Sequence, residues 1–171
     1  MNNLIKKFLY FELRTQIIAI CQRFKGGTFR PCIETIPTST LSGSFREHYN
    51  LANALAIGFF RNGTYQRNIF TYAPFDTFLR NAKLPISLEY LKPANDKEAV
   101  VADIYVVKNG TTEFLSKFTP TEIFLGALKS KGFGRCELKY IGEIEPNIKI
   151  GFLNGRLLED ECTAFGTVSY T

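Results

Sequence analysis

The chain has 171 residues, of which 45% are hydrophobic and 22% are charged; this length and balance suit one globular domain and exclude wholesale disorder. The 21 Lys and Arg residues against 16 Asp and Glu residues give a formal net charge of +5, which favours an acidic partner only weakly. No apolar run approaches the ~20 residues of a membrane span. No secretory signal is predicted, so we expect a cytoplasmic protein with no membrane partner.

Cysteine and histidine usage restricts the chemistry further. Cys21, Cys32, Cys136 and Cys162 contain no C-x-x-C pair, and His48 is the single histidine of the sequence. A tetrahedral zinc site would need all four cysteines from distant parts of the chain. We therefore expect reduced thiols that act as small apolar side chains, with no metal and no cofactor.

The chain begins with a long predicted strand. Residues 6–21 lack Gly and Pro and are rich in aromatic and β-branched side chains, as strands are. Leu9, Phe11 and Leu13 would share one face, and apolar residues on the other face indicate a central position in a sheet. Residues 25–38 contain two glycines and two prolines, which predict an irregular or short hairpin-like connection.

A first helix is predicted over about residues 39–50. Hydroxyl residues follow Pro37, and Leu41, Phe45 and Tyr49 recur every four residues, which is one face of a helix. The middle of the chain then reads as a series of strands punctuated by Asn-Gly and proline turns, at 54–60, 66–72, 86–91 and 99–107.

A second helix is predicted from the capping signal Thr119-Pro120-Thr121-Glu122 to Gly132, because Pro suits the first helical position and Gly ends helices. Its apolar face would hold Ile123, Phe124, Ala127 and Leu128. A strand over 135–144 follows directly, and two more strands are predicted at 148–153 and 163–170 across the turn Asn154-Gly155.

These elements predict an α+β fold in one domain, residues 1–171. The order strand, helix, strands, helix, strand is that of a ferredoxin-like module, an antiparallel sheet with two helices on one face. The core would cover about residues 6–145 and end in a glycine-rich loop and a strand. Extra C-terminal β-strands would occupy about 146–171.

The segment from Gly126 to Arg135 is the most informative for function. Its glycines permit a close approach of backbone to a ligand, and Lys129, Lys131 and Arg135 flank that backbone, as a phosphate contact requires. It matches neither a Walker loop nor a dinucleotide fingerprint. Taken alone, the same residues also suit a glycine-terminated helix followed by a tight turn with solvent-facing lysines.

In context, K-S-K-G-F-G-R followed by C-E-L-K-Y resembles the glycine-rich loop of the CRISPR-associated RAMP superfamily. I-P-T-S-T-L-S-G-S-F-R, residues 36–46, is similar to the start of that family's first helix, and K-K-F-L-Y-F-E-L-R to its opening strand. Among the branches, the chain is most similar to the subunit that binds the 5′ handle of the guide RNA. It departs from the pattern in its shortness, which leaves the branch open.

The resemblance implies a non-catalytic guide-RNA (crRNA)-binding subunit of a CRISPR ribonucleoprotein effector complex in antiviral defence. Its partners would be the guide RNA and the other subunits of that complex. The loop and the start of the first helix would then contact the RNA backbone, through Lys129, Lys131, Gly132, Gly134, Arg135, Ser39, Thr40, Ser42 and Arg46.

Two alternatives stay open. The chain could be a metal-independent endoribonuclease of the same superfamily, with His48 as general acid or base, although a lone histidine is more often a packing residue. It could instead be a scaffold subunit without RNA contact, since the aromatic residues between Tyr65 and Phe78 suit base stacking and protein docking equally. Single, scattered carboxylates such as Asp103 give little support to metal-dependent cleavage.

Overall fold

A computed structural model describes residues 7–22, 28–51, 54–76, 78, 80–95, 98–117 and 120–145. The predicted C-terminal strands at 148–153 and 163–170 lie outside these residues. One α-helix and eleven strands are present in the described part, in chain order β1 Phe8–Thr15, β2 Phe29–Arg30, β3 Thr35–Ile36, α1 Thr38–Tyr49, β4 Ala56–Phe60, β5 Tyr65–Tyr72, β6 Phe75–Asp76, β7 Asn81–Ala82, β8 Ile86–Pro93, β9 Val100–Val107, β10 Thr121–Phe124 and β11 Arg135–Ile144.

The main sheet has six strands in the order β10-β11-β1-β9-β4-β3, and every neighbouring pair is antiparallel. β1 lies at its centre, paired on one side with β9 and on the other with β11. Its side chains alternate as predicted. Leu9, Phe11 and Leu13 are fully buried, whereas Tyr10 and Glu12 on the other face are partly exposed.

A second sheet, in the order β2-β8-β5, extends from the first. β5 and β8 form a long antiparallel hairpin, and β6 pairs with β7 at its outer end. Phe70 and Tyr72 of β5 pack with Phe133 and Tyr90, which joins this hairpin to the glycine-rich loop.

Helix α1 lies over the buried face of the main sheet, one residue from its predicted bounds. Leu41 and Phe45 are fully buried in the core, and Asn50 ends the helix in the left-handed conformation. The prediction of an α+β fold is confirmed, and the middle strands start and end within two residues of the predicted positions. No helix in the described residues is long and apolar enough to cross a membrane.

The prediction of a second helix over 119–132 is wrong. Thr121–Phe124 is a strand that pairs with β11, with Ile123 opposite Cys136. Ile123 is buried and Glu122 is exposed, so the burial alternates with the period of a strand. The free edge of β11 supplies backbone partners that local helix propensity does not outweigh. The helical turns that the structure describes nearby are short 3₁₀ turns, Glu113–Lys117 and Lys129–Lys131.

Candidate nucleic-acid interface

A groove of about 700 Å³ lies where the first turns of α1 face the glycine-rich loop and the segment after β1. We call it the α1 groove. Its lining includes Ser39 and Thr40 from the helix, Lys129 from the loop and Arg30 from β2. The fold thus brings together residues from the two motifs that the sequence had singled out, although Thr40 and Lys129 are 89 positions apart in the chain.

The N-terminus of α1 gives this groove a positive end. The helix starts after Pro37, no side chain caps its first turn and no acidic residue lies within that turn. Unpaired N–H groups and aligned peptide dipoles make such a terminus attractive to anions. Ser39 is exposed and Thr40 half-buried beside it, so their hydroxyls are placed to add hydrogen bonds to a ligand oxygen.

Two cations and one carboxylate complete the charge of the α1 groove. The ammonium Nζ of Lys129 lies 2.9 Å from Oε2 of Glu47, and both side chains are exposed. The hydrogen bond and the charge of Lys129 lower the pKa of Glu47. Arg30 makes no ion pair with any residue that the structure describes. The lining is therefore net positive, with one cation held by an exchangeable surface ion pair.

Two glycines determine the conformation of the loop and its packing against the rest of the chain. A Cβ at Gly134 would lie 1.8 Å from the carbonyl oxygen of Leu125, and its φ is 77°. Its N–H donates to Ile17 O at 2.8 Å, while its carbonyl accepts from Leu125 N–H. Gly132 ends the 3₁₀ turn at φ 85° with open space around it. Gly134 thus seats the loop on the segment after β1.

The structure separates the other predicted contact residues from this groove. Arg135 lies on β11 with its Nη2 at 2.7 Å from Glu122 Oε2, and it lines a second groove. Lys131 is exposed on the 3₁₀ turn, and Arg46 is exposed in the last turn of α1. The Ser42 hydroxyl donates to the carbonyl of Ala54, which ties α1 to the chain before β4. None of these four side chains lines the α1 groove.

Sequence reasoning missed two residues of the α1 groove. Arg30 lies in the irregular connection after β1, and no periodic pattern of apolar residues predicts where that connection runs. Ser44 is 3% exposed, its Oγ has no hydrogen-bond partner, and it lines the groove. Its spacing of four from Thr40 was the available signal, because residues four apart share a helix face. A buried hydroxyl without a partner is unusual, because buried polar groups are normally hydrogen-bonded.

His48 has a packing role. Its Nε2 accepts a hydrogen bond from the backbone N–H of Phe124 at 3.1 Å, and its ring stacks on the Phe124 ring at 5.9 Å. This contact fixes the end of α1 to β10. An imidazole nitrogen that accepts this bond is occupied, so it is poorly placed as a general base. Among the described residues, no three His, Cys, Asp or Glu side chains converge as metal ligands.

The second groove, the β11 groove, is larger, about 970 Å³. Its charged lining consists of Arg14, Arg135, Glu98, Glu122 and Glu137. Both arginines are held by carboxylates, since Arg14 Nε lies 2.8 Å from Glu12 Oε1 and Arg135 pairs with Glu122. Because carboxylates outnumber the arginines and both arginines are already in ion pairs, this groove is unsuitable for a polyanion.

A compact ionic cluster lies on the open face of the main sheet. Arg61 donates to both oxygens of Asp103 at 2.7–3.2 Å and to Tyr10 Oη, and it pairs with Glu12 at 2.9 Å. Burial acts to raise the pKa of Asp103, but the hydrogen bonds from Arg61 and Tyr10 outweigh it and hold that pKa below its usual value. These side chains satisfy one another and link β1 and β9 to the residue that follows β4.

Comparison with known proteins bears on the fold. No protein-family model matches the sequence, and no curated protein shows significant similarity. A cryo-EM structure of the Type III-B Cmr-beta bound to cognate target RNA contains a chain with 15% identity and a TM-score of 0.51, over 82% of this chain and 61% of that one. The apo state of Type III-B Cmr-beta gives 9% identity and a TM-score of 0.50, over 80% and 98%. At these identities the likeness shows a shared fold.

Proposed function

We propose that this chain is a non-catalytic subunit of a CRISPR ribonucleoprotein effector complex and that the α1 groove binds the backbone of its guide RNA. The observation that carries the proposal is the convergence of Ser39 and Thr40, at the N-terminus of α1, with Lys129 and Arg30 around one net-positive groove. A helix N-terminus, hydroxyls and two cations are the groups that proteins use to hold phosphates.

The proposal agrees with the state of the groove in the free chain. The Lys129–Glu47 ion pair is exposed, so exchange of the carboxylate for a phosphate requires little free energy. Arg30 has no acidic partner in the described residues and is available at once. The groove is partly open to solvent between α1 and the loop, so a segment of an extended strand can enter it.

The identity of the RNA rests on two supports. The motifs of the loop and of α1 resemble the RAMP superfamily, most of all the subunit that binds the 5′ handle, and the fold is shared with chains of Type III-B Cmr-beta structures. In this proposal the sheet order β11-β1-β9-β4 with α1 is a ferredoxin-like module whose second helix is replaced by β10. The complex would work in the cytoplasm, with the guide RNA and other subunits as partners.

The decisive test compares the two grooves. RNA that co-purifies with the chain from its own cells is sequenced, and its most abundant species is synthesised with a fluorescent label. Arg30→Ala with Lys129→Ala should weaken binding of that RNA about tenfold and reduce the slope of log K against log salt by about 1.4, or 0.7 per lost phosphate contact. Arg14→Ala with Arg135→Ala, the same change of charge in the β11 groove, should leave both quantities nearly unchanged.

Each outcome separates the candidates. Guide-length RNAs with a common 5′ end, and a loss confined to the α1-groove variant, support the proposal. Equal losses from both variants would show that only net charge matters, and absence of RNA beside co-purified proteins would favour the scaffold alternative. Cleavage of added precursor RNA that is lost in His48→Ala, with RNA binding retained, would establish the nuclease alternative.

A further inference from the structure

Three Asn-Gly pairs occur in the sequence, at residues 62–63, 109–110 and 154–155, and the last lies outside the described residues. In such a pair the backbone nitrogen of the glycine can attack the side-chain carbonyl carbon of the asparagine, because glycine has no Cβ to shield that nitrogen. In a folded chain the reaction depends on how firmly the asparagine and the backbone around it are held. The two described pairs differ in that respect.

Asn62 and Gly63 form an exposed turn between β4 and β5. One backbone hydrogen bond closes the turn, from Thr64 N–H to Arg61 O at 3.3 Å, which is longer than such bonds usually are. Gly63 has a φ of 82° and open space where a Cβ would stand. Neither the Asn62 side-chain amide nor the Gly63 N–H is hydrogen-bonded to a residue that the structure describes. The nucleophile and the electrophile of this pair are therefore both accessible.

Asn109, in contrast, is held by its neighbours. Its Oδ1 accepts the N–H groups of Thr111 and Thr112 at 3.0 and 2.9 Å and the Thr111 hydroxyl at 2.7 Å. Its backbone N–H donates to Thr112 Oγ1 at 2.9 Å, and its carbonyl accepts from the N–H groups of Thr112 and Glu113. Attack on the Asn109 side chain requires rotation of that side chain and of the backbone, so these bonds would have to break first. The same dipeptide is thus protected at Asn109 and unprotected at Asn62.

We propose that Asn62 is a site of spontaneous deamidation, with water as the only other reactant, and that the products loosen the joint between the two sheets. The Gly63 nitrogen loses its proton and bonds to Cγ of Asn62, and the side-chain nitrogen leaves as ammonia, which gives a cyclic succinimide. Water then opens the ring at either of its carbonyl carbons, to aspartate or to isoaspartate, and the ammonia takes up the proton of the new carboxylic acid. Ring closure requires rotation about the Cα–C bond of Asn62, which the long bond that closes the turn resists only weakly.

The turn joins the main sheet to the β5–β8 hairpin through a closely bonded set of backbone groups. Arg61 N–H donates to Val101 O at 2.9 Å. Thr64 Oγ1 donates to Arg61 O at 2.7 Å and accepts from Val101 N–H at 3.2 Å. Thr64 O accepts from the N–H of Ala94, just after β8, at 3.1 Å. Isoaspartate lengthens the main chain between Arg61 and Thr64 by the side-chain carbon, so these bonds cannot all be kept.

The new negative charge lies on the residue next to an ionic cluster whose members are already paired. Arg61 pairs with Glu12 at 2.9 Å and with Asp103 at 2.7 Å. A further carboxylate at position 62 competes for Arg61 and repels the other two. The lengthened main chain and the added charge both weaken the joint, and neither involves the α1 groove. The inference therefore does not depend on RNA binding.

Isotope labelling of the purified full chain tests the modification directly. The chain is incubated in water enriched in heavy oxygen, which labels a carboxylate only if it forms during the incubation. Peptide mapping by mass spectrometry measures the label at Asn62 and at Asn109, and electron-transfer fragmentation distinguishes isoaspartate from aspartate. We expect label at Asn62 at least about tenfold faster than at Asn109, because the hydrogen bonds of Asn109 must break first. Equal rates at the two positions, or no label at Asn62, would overturn the inference.

Two variants test the effect on the joint. Asn62→Gln keeps an exposed amide but must form a larger ring, which closes more slowly, so position 62 should take up little label. Once Asn62 is converted, the melting temperature of the unmodified chain should be lower than that of equally incubated Asn62→Gln by about 3 °C, the shift for roughly one lost hydrogen bond in a chain of this size. Fresh Asn62→Asp, which has the charge without the lengthened main chain, should show a smaller decrease.

The comparison with Asn62→Gln removes the contribution of every other site that changes during incubation. A chain that is labelled at Asn62 and melts together with incubated Asn62→Gln would show that the modification leaves the joint intact, against the inference.

Discussion

The two grooves of this protein differ in the charge of their linings more than in their size. The β11 groove is the larger, about 970 Å³ against about 700 Å³, yet its charged lining holds three carboxylates and two arginines that are already paired. The α1 groove has two basic side chains, one carboxylate and a helix N-terminus without an acidic residue. Available positive charge, and not volume, distinguishes a groove that suits RNA.

The grooves also differ in how they are built. The β11 groove is formed largely by strand residues whose ladder hydrogen bonds fix their positions. The α1 groove depends on a loop that is seated by single backbone contacts, above all those of Gly134 with Ile17 and Leu125. Substitutions in the loop should therefore disturb the α1 groove first.

The largest effect is expected for Gly134→Ala. The new Cβ would meet Leu125 O at 1.8 Å in a left-handed backbone, and neither atom can move without breaking the loop contacts. We expect a loss of about 4 kcal/mol in the free energy of unfolding, measured by urea denaturation. The matched control is Gly132→Ala, which has the same sign of φ but open space, and should cost about 1 kcal/mol. Equal losses would show that Gly134 has no special packing role.

A cysteine pair at the edge of the α1 groove provides the next test. Cys21 and Cys32 are directly opposite across an antiparallel bridge, flanked by the bonds Gln22 N to Pro31 O and Ile33 N to Ile20 O. This pattern is a non-hydrogen-bonded pair, whose Cα atoms lie about 4.5 Å apart, within the range of a disulfide. Both cysteines are free thiols in the structure.

Diamide should therefore join Cys21 to Cys32 and stabilise the chain by about 3 kcal/mol, the value for a loop of about a dozen residues. Burial raises the pKa of Cys32 to about 11, so the reaction should accelerate as pH rises toward that value. Mass spectrometry of the tryptic peptides locates the bond, and urea denaturation with and without reductant measures the gain. Cys136, on the side of the β11 groove, is buried with a pKa raised to about 12 and should stay unmodified.

Arg61 is held by carboxylates, whereas Arg30 has no acidic partner among the described residues. Removing a partner of Arg61 should change stability by less than the two changes above. Asp103→Asn removes the acceptor charge for Arg61 and Tyr10, and should lower stability at pH 7 by about 1–2 kcal/mol. Because the pKa of Asp103 is below its usual value, its contribution is present above about pH 4, the unfolded pKa, and is lost as pH falls through the folded pKa.

The difference between Asp103→Asn and the unchanged chain should accordingly disappear at the acidic end of a series of urea denaturations. Glu137→Gln, an exposed carboxylate on β11, is the control and should change stability little at any pH. A difference that persists in acid would mean that Asp103 acts through packing and not through its charge.

The sequence predicted the parts of this molecule that local pattern controls. The alternation of buried and partly exposed side chains predicted β1, and the four-residue spacing of Leu41 and Phe45 predicted α1. Both patterns were sufficient because one face of each element is buried. Thr121–Phe124 was mistaken for a helix because the choice depends on the free edge of β11, which no local signal shows. The resemblance to the RAMP superfamily singled out Thr40 and Lys129 separately as RNA contacts, but their meeting in one groove depends on how the loop packs against α1. Arg30 was missed because its position depends on how an irregular connection packs.

The substitution with the smallest expected effect, Glu47→Gln, is the most direct test of the difference between the grooves. Glu47→Gln removes the carboxylate that holds Lys129 and leaves the shape of the α1 groove unchanged. If RNA binds there, its phosphate no longer competes with Glu47, and affinity should rise about two- to threefold with a steeper dependence on salt. Fluorescence anisotropy with the co-purified RNA species measures both.

Glu122→Gln makes the same change in the β11 groove, where it frees Arg135. Since both variants add one unit of net positive charge, a general electrostatic attraction would raise affinity equally in the two. A gain confined to Glu47→Gln can come only from RNA that lies within reach of Lys129. Equal gains would remove the distinction between the grooves and, with it, the assignment of the guide RNA to the N-terminus of α1.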